Sequence, residues 1–78
     1  MIPLYGFLEG DTIGLLILAD PEETIAELAR KLEASAAVRV APRARLAVHV
    51  GERELDPRLT VAGAGLAALD RFDVTGAG

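Results

Sequence analysis

Apolar positions recur with a period of two at both ends of this chain and with a period near 3.6 between them. In Ile2 to Leu8, Ile2, Leu4, Gly6 and Leu8 share one parity while Tyr5 and Phe7 fall on the other, which predicts a strand. Thr12 to Ala19 repeats the pattern, with Ile13, Leu15 and Ile17 on one face and Leu16 and Leu18 opposite. Between them, Glu9-Gly10-Asp11 is a turn cluster, because Gly enters the positive-φ region without steric cost. Two strands around a short Gly-containing turn predict an antiparallel hairpin.

The period then changes. Ile25, Leu28, Ala29 and Leu32 follow the i, i+3, i+4, i+7 rule and define one apolar stripe of a helix. Glu22, Glu27, Arg30, Lys31 and Glu33 fall largely off that stripe. Asp20-Pro21-Glu22-Glu23 reads as the helix start, with Asp20 as cap, Pro21 at the first helical position and Glu23 at capping-box spacing. Glu27 and Lys31 stand one turn apart in the favourable order for an ion pair. The helix is expected to fade across Ala34-Ser35-Ala36, before Pro42 forbids its continuation.

Alternation returns from Arg45 to Val50, with Leu46, Val48 and Val50 inward and Ala47 and His49 outward. Gly51-Glu52 turns the chain into a short strand at Arg53-Glu54-Leu55. Thr60 can cap a single helical turn that Gly65 closes, and Phe72 and Val74 mark a last strand within Leu69 to Val74. Thr75 to Gly78 is expected to be a loose tail. The resulting β-β-α-β-β-β order is α+β: a β-grasp, or ubiquitin-like, domain with one helix on a four- to five-stranded mixed sheet. A ferredoxin-like arrangement would need a second long helix, which Pro57, Gly63 and Gly65 deny to residues 56–68.

At 78 residues the whole chain, 1–78, is one small domain. With no Cys and a single His, it offers no thiolate or multi-His metal site, and no cofactor site is expected. The net charge of −4 argues against a nucleic-acid binder. The apolar run from Ile13 to Ala19 is seven residues long, whereas a spanning helix needs roughly 20, so the protein is expected to be soluble and cytoplasmic. His49 has no partner for general-base work, and Ser35 belongs with local backbone bonding at a helix end. Asp70 and Asp73 fall on opposite faces of a strand, and Gly63-Ala64-Gly65 lacks the context of a phosphate loop. No catalytic residue is expected.

The apolar content exceeds what one small core can hold. There are 25 Ile, Leu, Val, Phe and Tyr side chains, and a helix covers only one sheet face. Tyr5, Phe7, Leu16 and Leu18 lie on two paired strands and would form one contiguous exposed patch, the mark of a partner surface or of self-association in the isolated chain. Arg39, Arg43 and Arg45 crowd around Pro42, and their planar guanidinium groups suit bidentate contacts to partner carboxylates at the rim of such a surface.

Several runs remain: Phe7-Leu8-Glu9 with Asp11, Arg39-Val40-Ala41-Pro42-Arg43, Asp56-Pro57-Arg58-Leu59-Thr60-Val61-Ala62 with Gly65-Leu66, and Asp73-Val74. In this order they resemble the small γ subunit, or B protein, of multicomponent toluene monooxygenases. The resemblance spans about Ile2 to Val74. It implies a β-grasp fold and a non-catalytic subunit that docks on the large diiron subunit of an aromatic-hydrocarbon hydroxylase, where iron and substrate are held. Two other readings remain at this point. One is a stand-alone ubiquitin-like interaction module, and the other is a sulfur carrier activated at Gly78.

Overall fold

The computed structural model describes residues 1–77, and in it five strands and one helix follow the order expected from the sequence. They are β1 (Ile2–Leu8), β2 (Leu15–Ala19), α1 (Ile25–Ser35), β3 (Leu46–Val50), β4 (Arg53–Glu54) and β5 (Arg71–Gly76). The strands form one mixed sheet in the order β2-β1-β5-β3-β4. β1 and β5 run parallel at its centre, and the other pairs are antiparallel. This is the β-grasp arrangement.

The helix stripe is buried as its spacing requires: Ile25, Leu28, Ala29 and Leu32 are closed to solvent. They meet Leu4, Leu8, Ile17, Val48, Phe72 and Val74 from the inner sheet face. Gly6 permits the close approach, since a Cβ there would lie 2.7 Å from the Phe72 ring and 2.9 Å from Leu32. Thr60 caps a single turn through the Gly63 N–H, and Gly65 closes it at φ +79°.

Four local expectations are corrected. The second strand begins at Leu15 rather than Thr12, because the Asp11 N–H donates to the Leu8 carbonyl and bends the chain, leaving Ile13 exposed in the loop. The helix is capped by Thr24, not Asp20. The Thr24 hydroxyl accepts the Glu27 N–H at 3.1 Å, and the Glu27 carboxylate accepts the Thr24 N–H at 2.9 Å. The anticipated Glu23-to-Asp20 bond does form at 2.9 Å, but it closes only a turn. The carbonyls of Pro21 and Glu23 are taken by the N–H groups of Ala62 and Val61, so the chain there is held by the 57–62 loop instead of starting a helix.

Lys31 pairs with Glu23 at 2.9 Å, not with Glu27, whose carboxylate is engaged in the cap. Residues 75 and 76 are not loose. They continue β5 opposite Ala47 and Leu46, and the Ala77 N–H donates to the Arg45 carbonyl. Gly78, on which the sulfur-carrier reading depends, lies outside the described residues.

Candidate functional site

The helix covers one face of the sheet, so strand alternation leaves the other face open. The register sets out its rows. Leu18 lies opposite Pro3, and Leu16 opposite Tyr5, which is followed across the parallel pair by Arg71. The next row runs Phe7, Asp73, His49, Glu54. The open face therefore has an apolar half on β1 and β2 and a polar half on β5 and β3. On the apolar half Tyr5 is 43%, Leu16 56% and Leu18 53% exposed. These are three of the four residues, with Phe7, that the sequence placed in one exposed patch.

Phe7 belongs to the same face but is half-buried. The Arg71 guanidinium carbon lies 4.0 Å from its ring centroid, a cation–π contact, and Asp73 holds that arginine at 2.9 Å. The ring also leaves no room for a Cβ at Gly14, which would lie 2.5 Å from it. Phe7 thus fastens the loop before β2 to the sheet as well as contributing apolar surface.

The arginines serve the chain itself more than was expected. Arg39 grips the Asp11 carboxylate with Nε and Nη2 at 2.9–3.1 Å, and the Asp11 side chain is almost fully covered. That hydrogen bonding to Arg39 is the main reason the Asp11 carboxyl titrates below the usual aspartate value. Arg43 lies 3.3 Å from Glu9, a charge contact without hydrogen-bond alignment at that nitrogen. Both pairs tie the β1–β2 loop to the segment after the helix. That end of β1 is the one away from the Leu18–Pro3 row, so these arginines do not rim the exposed leucines. Arg45 is exposed and has no ion-pair partner among the described residues.

Glu33 was placed off the stripe, yet it is 8% exposed. One of its oxygens takes Arg30 at 2.8 Å, and the other takes the Arg43 N–H at 2.7 Å. Arg30 also donates to the carbonyls of Arg43 and Ala44. The resulting clasp fixes the basic segment against the helix.

Two surface clefts of about 140 and 270 Å³ accompany these features, both smaller than the usual small-molecule pocket of roughly 300–1,000 Å³. Among the described residues no three His, Cys, Asp or Glu side chains converge to hold a metal ion. No described helix is long and apolar enough to cross a membrane.

A family model described as Toluene-4-monooxygenase system protein B (TmoB) matches residues 1–75. The chain belongs to that family. The monooxygenase-system resemblance seen in the sequence is thereby established, and with it the accessory, ubiquitin-like character of this component. A search of curated proteins found no match. Among solved structures, a chain of "Toluene 4 monooxygenase HD Complex with Inhibitor 4-Bromobenzoate" superposes with a TM-score of 0.89 at 24% identity, covering 97% of this chain and 98% of that one. The ubiquitin of Caldiarchaeum subterraneum superposes at 0.79 with 18% identity, covering 99% and 94%. A ubiquitin-like domain from Arabidopsis thaliana gives 0.66 at 19% identity, covering 94% and 73%. At these identities the superpositions speak to the fold, which is ubiquitin-like.

Sequence reasoning missed Glu33, the Arg71–Phe7 stack and Leu69. Leu69 is 58% exposed at φ +69°. The residues around it, Ala67-Ala68-Leu69-Asp70, contain no Gly or Pro to announce a turn. The Arg71–Phe7 stack depends on the parallel β1–β5 pairing, which no local pattern encodes.

Proposed function

We propose that this chain is a non-catalytic accessory subunit of a cytoplasmic multicomponent diiron monooxygenase acting on aromatic hydrocarbons, and that it docks on the large hydroxylase subunit through the open face of its sheet. The family match over residues 1–75 supports the assignment to such a system. The observation that carries the docking mode is the run of exposed apolar side chains Tyr5, Leu16 and Leu18 on paired strands. Such a patch is unfavourable in water and is the usual centre of a subunit interface. Arg45, without an ion pair among the described residues, is offered to a partner carboxylate, whereas Arg39 and Arg43 would have to serve their internal partners as well.

The residues present do not fit a diiron centre, since the chain has one His and, among the described residues, no three His, Cys, Asp or Glu side chains converge. Iron and substrate are therefore assigned to the large subunit. Co-expression with that subunit tests the reading. Wild-type chain should co-purify in a stable stoichiometric complex, and Leu16→Asp should not, although its circular dichroism matches wild type. Wild-type chain that fails to associate, or Leu16→Asp that associates normally, would refute the proposal.

A further inference from the structure

We propose that Leu69 is a contact residue for the large hydroxylase subunit, held in a strained conformation that the free chain does not need. The inference rests on the docking reading above and adds a residue to it. Among the described residues Leu69 is the one non-glycine residue with positive φ, at 69°. It occupies the third position of a closed turn, in which the Asp70 N–H donates to the Ala67 carbonyl at 3.0 Å and the Asp70 carboxylate accepts the Ala67 N–H at 2.9 Å. Gly fits such a position without strain and Asn adopts it readily, whereas Leu brings its Cβ into conflict with the backbone.

That strain is not offset by burial in the chain's own core. The residue is 58% exposed and lies outside the core cluster. Other exposed apolar residues, such as Val38 and Leu59, do not have positive φ and need no special account. A strained residue whose side chain does so little for its own fold points to a role outside it.

Position says what that role is. The Leu69 N–H donates to the Pro3 carbonyl at 2.6 Å, and the Tyr5 N–H donates to the Asp70 carbonyl at 2.9 Å. The turn is thus bolted beside β1, in line with β5. At that level Pro3 has Leu18 as its other neighbour, and the next row holds Tyr5 and Leu16. Leu69 therefore stands at the level of Pro3, one strand along from Leu18, at the border of the face that the accessory-subunit reading covers with the hydroxylase.

The test compares three variants of the full-length chain, each measured alone by urea unfolding and for affinity to the purified large subunit. Leu69→Asn should raise the urea midpoint of the free chain, because it relieves the turn, and should weaken association at least about fivefold. Leu69→Met, which keeps apolar contact and strain, should bind within about twofold of wild type. A lowered midpoint for Leu69→Asn would show that Leu69 serves its own fold, and unchanged affinity would show that it touches no partner; either overturns the inference. Leu16→Asp separates the two levels: if it abolishes association while Leu69→Asn does not weaken it, only the Leu69 proposal falls. If Leu16→Asp binds normally, the docking face itself is wrong.

Discussion

Glu33 shows how much one side chain can carry in so small a domain. Both carboxylate oxygens are used, one by Arg30 and one by the Arg43 main chain, and through them the segment after the helix is fixed. Glu33→Ala leaves the Arg43 N–H without its partner and should lower stability by about 1–3 kcal/mol in chemical denaturation. The same geometry sets a pH dependence. Hydrogen bonds from the Arg43 main chain and then from Arg30 hold the Glu33 carboxyl below its ordinary value of 4.5. A carboxyl lowered on folding contributes its full stability above the unfolded value, and that contribution is lost as pH falls towards the folded one. Stability measured from pH 6 downward should therefore begin to fall near the ordinary glutamate value, and Glu33→Gln should flatten part of that slope. An acid limb as steep in the variant as in wild type would refute the assignment.

Among the elements, the helix was the most legible, because the stripe Ile25, Leu28, Ala29 and Leu32 names its own buried face. Leu28 is fully buried, and Leu28→Ala should cost about 2–5 kcal/mol through the cavity it leaves; an unchanged urea midpoint would contradict that packing. The strands were legible for the same reason, since alternation separates Leu4 and Leu8 from Tyr5. The helix start was not. Asp20 and Thr24 each stand three residues before a glutamate, and local chemistry cannot choose between them. The choice is made by the 57–62 loop, whose N–H groups take the Pro21 and Glu23 carbonyls. Glu33 was misplaced for a related reason: its polar type suggested solvent, but its carboxylate accepts the N–H of Arg43, ten residues further along the chain. Contacts between distant segments are where pattern reading stops.

At the scale of the whole molecule, two unlike faces divide the work: the inner face closes the core, and the outer one stays half apolar. The outer patch was legible because residues opposite the core parity must point somewhere, and Tyr5, Leu16 and Leu18 do. The internal pairs of Arg39 and Arg43 were not legible because their partners, Asp11 and Glu9, lie on a loop that only the fold brings near. Leu16→Asp should weaken assembly by more than about 2 kcal/mol, since it asks an unpaired carboxylate to leave water, while the unfolding curve of the free chain stays close to wild type. The parallel pairing of β1 with β5 has a further consequence for biosynthesis. Of these five strands the ribosome makes β1 before the others and β5 after them, so the hairpin of β1 and β2 must wait with one flank open until Arg71–Gly76 emerges. No nascent fragment can nucleate a finished sheet and grow outward, because its middle arrives at the end. A chain stopped after Asp70 should therefore give no cooperative unfolding transition and should be degraded or aggregate, whereas one ending at Ala77 should fold in a single step.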